Sequence, residues 1–287
     1  MDIGLGGMAM KNILKIMLMM ITIFTIAGSA VYAAEIPVSD QDQLITSRDW
    51  TEISNLQDEM KKEEPDATID YDKALKVYVD CNLIKLQTAD TKKLTSALES
   101  ANYVWVIPFK MEKTYGMFTV AKGLPLSEEA KSVLTKAEQE EVKNHAGKWM
   151  ITETAEHTVE PYYDILLEKR EALSDCTRVV LVGSQPGMRQ PVALGMDDET
   201  ARIWISLGYQ YPVMEKIPET QNVESGVYSF DSVAEISDTY IEDSEVSTGA
   251  GVQSRSSMKY VAGIGIIVIG SILILSVLKK KKLEDYE

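Results

Sequence analysis

The chain has 287 residues, a net charge of −15, two cysteines and two histidines. That acidity argues against nucleic acid and anionic lipid headgroups as partners, because their phosphates would be repelled. Two cysteines cannot supply a four-thiolate zinc site within one chain. About 180 residues, 34–215, are ample for a packed core.

Lys11 and Lys15 precede an apolar run at residues 16–27, IMLMMITIFTIA. The run is too short to favour a membrane span and suits the core of a secretory signal. Gly28, Ser29 and Ala30 follow, and Val31 and Ala33 fit the small-residue positions before a cut between Ala33 and Ala34. Residues 1–33 are therefore expected to be a signal peptide, with an uncleaved anchor as the alternative. Met8 or Met10 would begin a more ordinary signal. No cysteine stands near the cut, so anchoring through a lipidated cysteine is not indicated.

Residues 34–215 are expected to form an extracytoplasmic α+β domain, opening on a polar leader at residues 34–46. Trp50, Ile53, Leu56 and Met60 then recur at helical spacing, with Asp49 and Glu52 as capping residues and Pro65 as the stop. ALKVYVD and LIKL, residues 74–80 and 83–86, read as strands. Asp90 suits the cap of a short helix with Leu94, Ala97 and Leu98 inside. YVWVIPF and YGMFTVA, residues 103–109 and 115–121, read as a hairpin, with Pro108 marking an edge or bulge.

Ser127 is expected to cap one longer helix, with Ala130, Val133, Leu134 and Ala137 inside. Trp149, Met150 and Ile151 suggest a short strand. Glu160-Pro161 begins another helix, with Tyr162, Ile165, Leu166 and Leu173 along its stripe. RVVLVG, residues 178–183, is apolar enough to be covered on both faces. Two more strands are expected at residues 191–195 and 201–207, joined by a turn at Asp197, Asp198 and Glu199. The helix–strand–strand order recurs, which predicts an α+β fold of repeated α–β–β units: a mainly antiparallel sheet with helices on one face.

Residues 216–259 are rich in Ser, Thr, Asp and Glu and are expected to be a flexible stalk. Tyr228, Phe230 and Tyr240 are the aromatic exceptions, a docking strip if they do anything beyond spacing. Residues 260–278 are uncharged and long enough for a transmembrane helix, with Tyr260 at one interface. Lys279, Lys280, Lys281 and Lys282 follow at once and place the basic tail, residues 279–287, in the cytoplasm. The signal region and the tail each carry net +1, so −17 falls on what lies between them. The span has no GxxxG motif, and no LPxTG stands before it.

The search for chemistry returns little. Glu153, Glu156 and His157 form the only plausible acid–base group, joined by His145 across the Trp149 strand, and no HExxH spacing supports them. Ser256-Ser257-Met258-Lys259 matches S-x-x-K but lacks companion motifs. The absence of Walker A, GxGxxG and EF-hand patterns leaves no cofactor or metal expected. Cys81 and Cys176 are expected to form a disulfide, with two buried thiols as the alternative. The reading is a single-pass protein of a bacterial cell surface, non-enzymatic, for binding, sensing or scaffolding. Its partners would be membrane lipid through the span and an unidentified envelope component. A hydrolase built on carboxylates, or an accessory subunit of a membrane complex, are the alternatives.

Overall fold

The computed structural model describes residues 36–237, except residues 158, 159, 184, 186, 187, 189, 210, 220 and 221. The expected signal, most of the stalk, the apolar run at 260–278 and the S-x-x-K match lie outside the described residues. Among those described, no helix is long and apolar enough to cross a membrane.

The strands are β1 (Thr68–Ile69), β2 (Leu75–Tyr78), β3 (Tyr103–Lys110), β4 (Tyr115–Lys122), β5 (Trp149–His157), β6 (Arg178–Val182), β7 (Val192–Met196), β8 (Ala201–Ser206), β9 (Asn222–Glu224) and β10 (Val227–Ser229). They make a single ten-stranded sheet in the order β5-β4-β3-β2-β6-β7-β8-β10-β9, with β1 also on β3. Every neighbouring pair is antiparallel except β2 with β6. Two meanders, β3-β4-β5 and β6-β7-β8, thus flank β2, which gives the recurring helix–strand–strand pattern its spatial form.

Pleat alternation divides the apolar residues between two faces. On the first face, Trp105, Ile107, Phe109, Phe118 and Val120 pack with Ile53 and Met60 of the helical segment 50–63. Val180, Val182, Leu194 and Trp204 pack with Leu94 and Leu98 of the helix Thr91–Glu99 on the same face. On the second face, Leu75, Val77, Val179, Leu181, Ala193 and Ile205 pack with Tyr162 and Leu166 of the helix Tyr162–Glu168. Helices therefore cover both faces, not one, because the central strands are apolar on both sides of the pleat. Each fully buried large side chain, such as Trp105 or Phe109, contributes about 1.5–3 kcal/mol over an exposed position.

Local chemistry explains most element ends. Asp90 accepts the backbone N–H groups of Lys92 and Lys93 at 3.0 and 3.1 Å, the expected cap. Ser127 caps its helix through Ala130 N–H at 3.1 Å, but the expected long helix is two, Glu128–Val133 and Lys136–His145. Thr135 breaks it by forming a capping box with Glu138, and Val133 is left exposed. Residues 83–86 are not a strand. Buried Gln185 takes the backbone groups that a strand would use, accepting Leu83 N–H at 3.0 Å and donating to Cys81 C=O at 2.6 Å. Ile84–Leu86 instead closes a 3-10 turn ended by Gln87 at φ 47°. Pro108 lies inside β3 and its carbonyl accepts Asp70 N–H at 2.9 Å. Its missing N–H thus faces the break between β1 and β2, where the neighbouring strand bulges through the turn Tyr71–Lys73.

Two segments depart from their expected character. Residues 222–229, assigned by composition to the stalk, form the hairpin β9–β10, turning at Gly226 with φ 74° and adding to the sheet on β8. The helical stretch 230–237 follows, with Phe230 and Val233 buried and Phe230 stacked 5.7 Å from Trp204. The folded body thus runs past residue 215 to at least 237, because these few apolar residues fall at buried positions. The polar leader is also structural. Val38 bridges Val179 of β6 in parallel, Gln43 bridges Leu75 of β2 antiparallel, and Ile36, Asp42 and Leu44 are buried. β2 and β6 pair directly only at Val77–Leu181 and Tyr78–Val182. Residues 38–43 form a strap that fills the split beyond.

Candidate functional site

The expected acid–base group does not converge. β5 is an edge strand, and in its register Glu153 stands opposite Thr119 while Glu156 stands opposite Gly116. Thr119 shares the second face with Met117, whereas Gly116 lies on the first face beneath Phe109. Glu153 accepts a long hydrogen bond from Thr119 Oγ1 at 3.4 Å. The two exposed glutamates project to opposite sides of the sheet, so they cannot flank one substrate bond. His157 is opposite Tyr115 in the ladder, and His145 ends the helix beside Gly123. The acidic turn is spoken for: Asp197 accepts the N–H groups of Glu199 and Thr200 at 2.8 and 2.6 Å and pairs with Arg202 at 2.5 Å. Among the described residues no group of three or more His, Cys, Asp or Glu is placed to hold a metal ion.

The expected disulfide is not formed. Both cysteines are free thiols. Cys81 packs on the first-face cluster and Cys176 belongs to the second-face cluster, so the sheet stands between them. Burial pushes both thiols up to about 11, away from the thiolate form.

The polar groups that do converge come from the strap and the sheet centre. The turn Asp40–Asp42 carries the Asp42 carboxylate into the split, where it is 2 % exposed. Asp42 accepts from Ser39 Oγ at 2.5 Å, Tyr78 OH at 2.7 Å and Arg178 Nη2 at 2.9 Å, with Lys76 Nζ at 3.5 Å. Burial works to raise its pKa, but the hydrogen bonds from Ser39 and Tyr78 and the Arg178 guanidinium outweigh it and hold Asp42 below the usual carboxylate value. One carboxylate thus joins β2, β6 and the strap.

Lys76 is the unusual residue of β2, 9 % exposed in an otherwise apolar strand. Its ammonium donates to Gln41 C=O and lies 4.7 Å from the Tyr103 ring centroid, 5.2 Å from Trp105 and 5.7 Å from Tyr78. Burial lowers its pKa, against the opposing pull of Asp42. Tyr103 packs against both first-face clusters and so marks the seam between them. Its hydroxyl donates to Asp49 at 2.9 Å, as does Trp105 Nε1 at 3.1 Å. This explains why Asp49 does not cap the helix at Trp50: its carboxylate is turned inward.

Above this network is an open cleft of about 440 Å³. One side is lined by the strap and its continuation, at residues 40, 41 and 46–49. The other is the end of the helix Thr91–Glu99, with Leu98, Glu99 and Ala101. The floor is Lys76, Tyr78 and Tyr103. The sequence marks none of these residues as a functional site; Asp49 is expected there as a helix cap and Leu98 as helix core. The one legible signal is Lys76, a charge at the pleat position where Trp105, its cross-strand partner, is buried. Compared with protein-family models, with curated proteins and with solved structures, the chain matches none.

Proposed function

We propose that the chain is a membrane-anchored, extracytoplasmic binding module. The observation that carries the reading is the cleft: two tyrosines at its floor, charged groups of both signs around it, and a polar network below that fixes the floor in place. Asp42 and Asp49 are engaged in hydrogen bonds that hold the structure together. The lining can therefore hold a ligand by charge and aromatic contact, and it places no nucleophile on a base. Apolar residues 260–278 and the lysines after them support the anchor, and residues 1–33 support export.

Two measurements test it. In cells expressing the full chain with a tag after Glu287, protease added to spheroplasts should remove the body and spare the tag, and carbonate washing should leave the chain in the membrane. A digested tag or a washed-off chain overturns the anchor. Thermal-shift screening of the detergent-solubilised full chain should find ligands whose stabilisation is lost in Tyr103→Ala. Turnover of such a ligand would move the protein to the enzymes.

A further inference from the structure

The two edges of the sheet differ. β9 closes one end with three residues, Asn222–Glu224. β5 closes the other with nine, Trp149–His157, and among the described residues no strand lies on its outer side. An unpaired edge presents a row of backbone N–H and C=O groups that fit another strand, and proteins blunt such edges with lysine, proline or short length. β5 has no lysine and no proline. In the excursion that leads into it, residues 124–148, no described side chain is buried, and Leu124 and Val133 are exposed. This end of the body is thus finished neither in backbone hydrogen bonds nor in apolar cover.

The bulge in β5 says which strand fits. Thr152 is an extra residue between Ile151, opposite Val120, and Glu153, opposite Thr119, so the alternation slips by one there. Trp149 and Ile151 lie on the first face, and past the slip so do Thr154 and Glu156, opposite Phe118 and Gly116. Met150 lies on the second face, and past the slip so do Glu153 and Ala155. A regular strand leaves one residue of β5 unpaired, as β4 does. A second β5 has the same extra residue and need not. Run antiparallel, with Trp149 opposite Glu156, Met150 opposite Ala155, Ile151 opposite Thr154 and Thr152 opposite Glu153, it keeps the faces matched through all eight residues. No carboxylate is directly opposite another in this register.

We propose that two copies of the chain pair through β5, antiparallel about a two-fold axis normal to the sheet, into one continuous sheet. The axis passes between Thr152 and Glu153, and the contact is isologous. The pairing stands apart from the binding reading but bears on it. Tyr103 and the helix Thr91–Glu99, which line the cleft, are on the first face. Because the axis is normal to the sheet, both clefts open on the same side, and a ligand with repeated units would engage two sites at once. One repulsion is built in: the two Glu153 carboxylates meet diagonally across the axis, and each body is strongly acidic. Association should therefore tighten with added salt, the reverse of a dimer held by ion pairs.

The test places cysteine pairs by register in the detergent-solubilised full chain. Met150→Cys and Ala155→Cys are too far apart along one strand to bridge within a chain, but they face each other across the axis. Neighbouring antiparallel pairs alternate between close and wide geometry, so Ile151→Cys with Thr154→Cys is made as well. Under mild oxidation at least one double variant should run as a covalent dimer without reductant, while every single variant and the native chain run as monomers. Sedimentation velocity of the native chain should show a monomer–dimer equilibrium, tightened by salt and tightened roughly 2- to 5-fold by Glu153→Gln. Thermal melts of each variant show that the fold is kept. A covalent dimer from any single variant overturns the register. A native chain that stays monomeric at high salt, with neither double variant bridging, overturns the pairing. Neither result touches the cleft, whose own test is ligand stabilisation.

Discussion

Replacing Asp42 is the most severe test of how the sheet is held together. The side chain is small, it comes from a segment that reads as polar leader, and among the described residues its carboxylate is the one ion-paired with both Lys76 and Arg178. Asp42→Ala would leave two largely buried cations unmatched and Tyr78 OH without its acceptor. Removing one partner of a buried ion pair costs about 3–5 kcal/mol. At about 2–4 °C per kcal/mol for a body of this size, the melting temperature should fall by roughly 6–20 °C. Circular dichroism of the solubilised full chain, with urea titration followed by tryptophan fluorescence, would measure it. Asp42→Asn keeps the volume and should reproduce most of the loss. The triple variant Asp42→Leu, Lys76→Met, Arg178→Met removes every charge together and should recover much of it, since apolar packing replaces a buried ion network at little or no cost. The pH dependence has a definite sign. Asp42 is held below its ordinary value in the folded chain, so the stability it contributes is present above about pH 4 and is lost as pH falls through the lowered value. The gap between the native chain and Asp42→Asn should therefore shrink below pH 4. A loss under about 1 kcal/mol in Asp42→Ala, or a gap that persists in acid, would mean that water reaches the cluster and that the strap is not held by charge.

Other expectations follow from close contacts, caps and thiols. A Cβ at Gly116 would come within 2.1 Å of the Phe109 ring, which is fully buried and packed 4.6 Å from Phe118. Gly116→Ala should therefore destabilise by about 1–3 kcal/mol, and Phe109→Leu in the same chain should return part of that in a double-mutant cycle. Asp90→Ala should cost about 0.5–2 kcal/mol in denaturant titration, as the helix Thr91–Glu99 loses its cap. Cys81 and Cys176 should not react with an aromatic disulfide reagent at pH 8 in the native chain. Both should react on unfolding without reductant; no reactive thiol at all would revive the bridge.

Local grammar was legible wherever a signal acts within a few residues. The Asp90 and Ser127 caps, the β3–β4 hairpin and the strands at 178–182 and 201–206 follow from side chains meeting the adjacent backbone and from pleat alternation. The two apolar runs and the charge distribution are likewise properties of the sequence by itself. The fold's centre was not legible, because it is made by residues far apart in the chain. Asp42 looks like any polar residue until Tyr78, 36 positions on, and Arg178, 136 positions on, close around it. LIKL has a strand's composition and loses that fate to Gln185, about a hundred residues away. Glu153 and Glu156 look like neighbours in sequence, but the pleat and the ladder to β4 send them to opposite faces. Sequence decided which segments are apolar and where short-range hydrogen bonds start and stop them; only the tertiary structure decided which buried charges find one another, since a carboxylate and a guanidinium carry no mark of each other until burial takes water away from both.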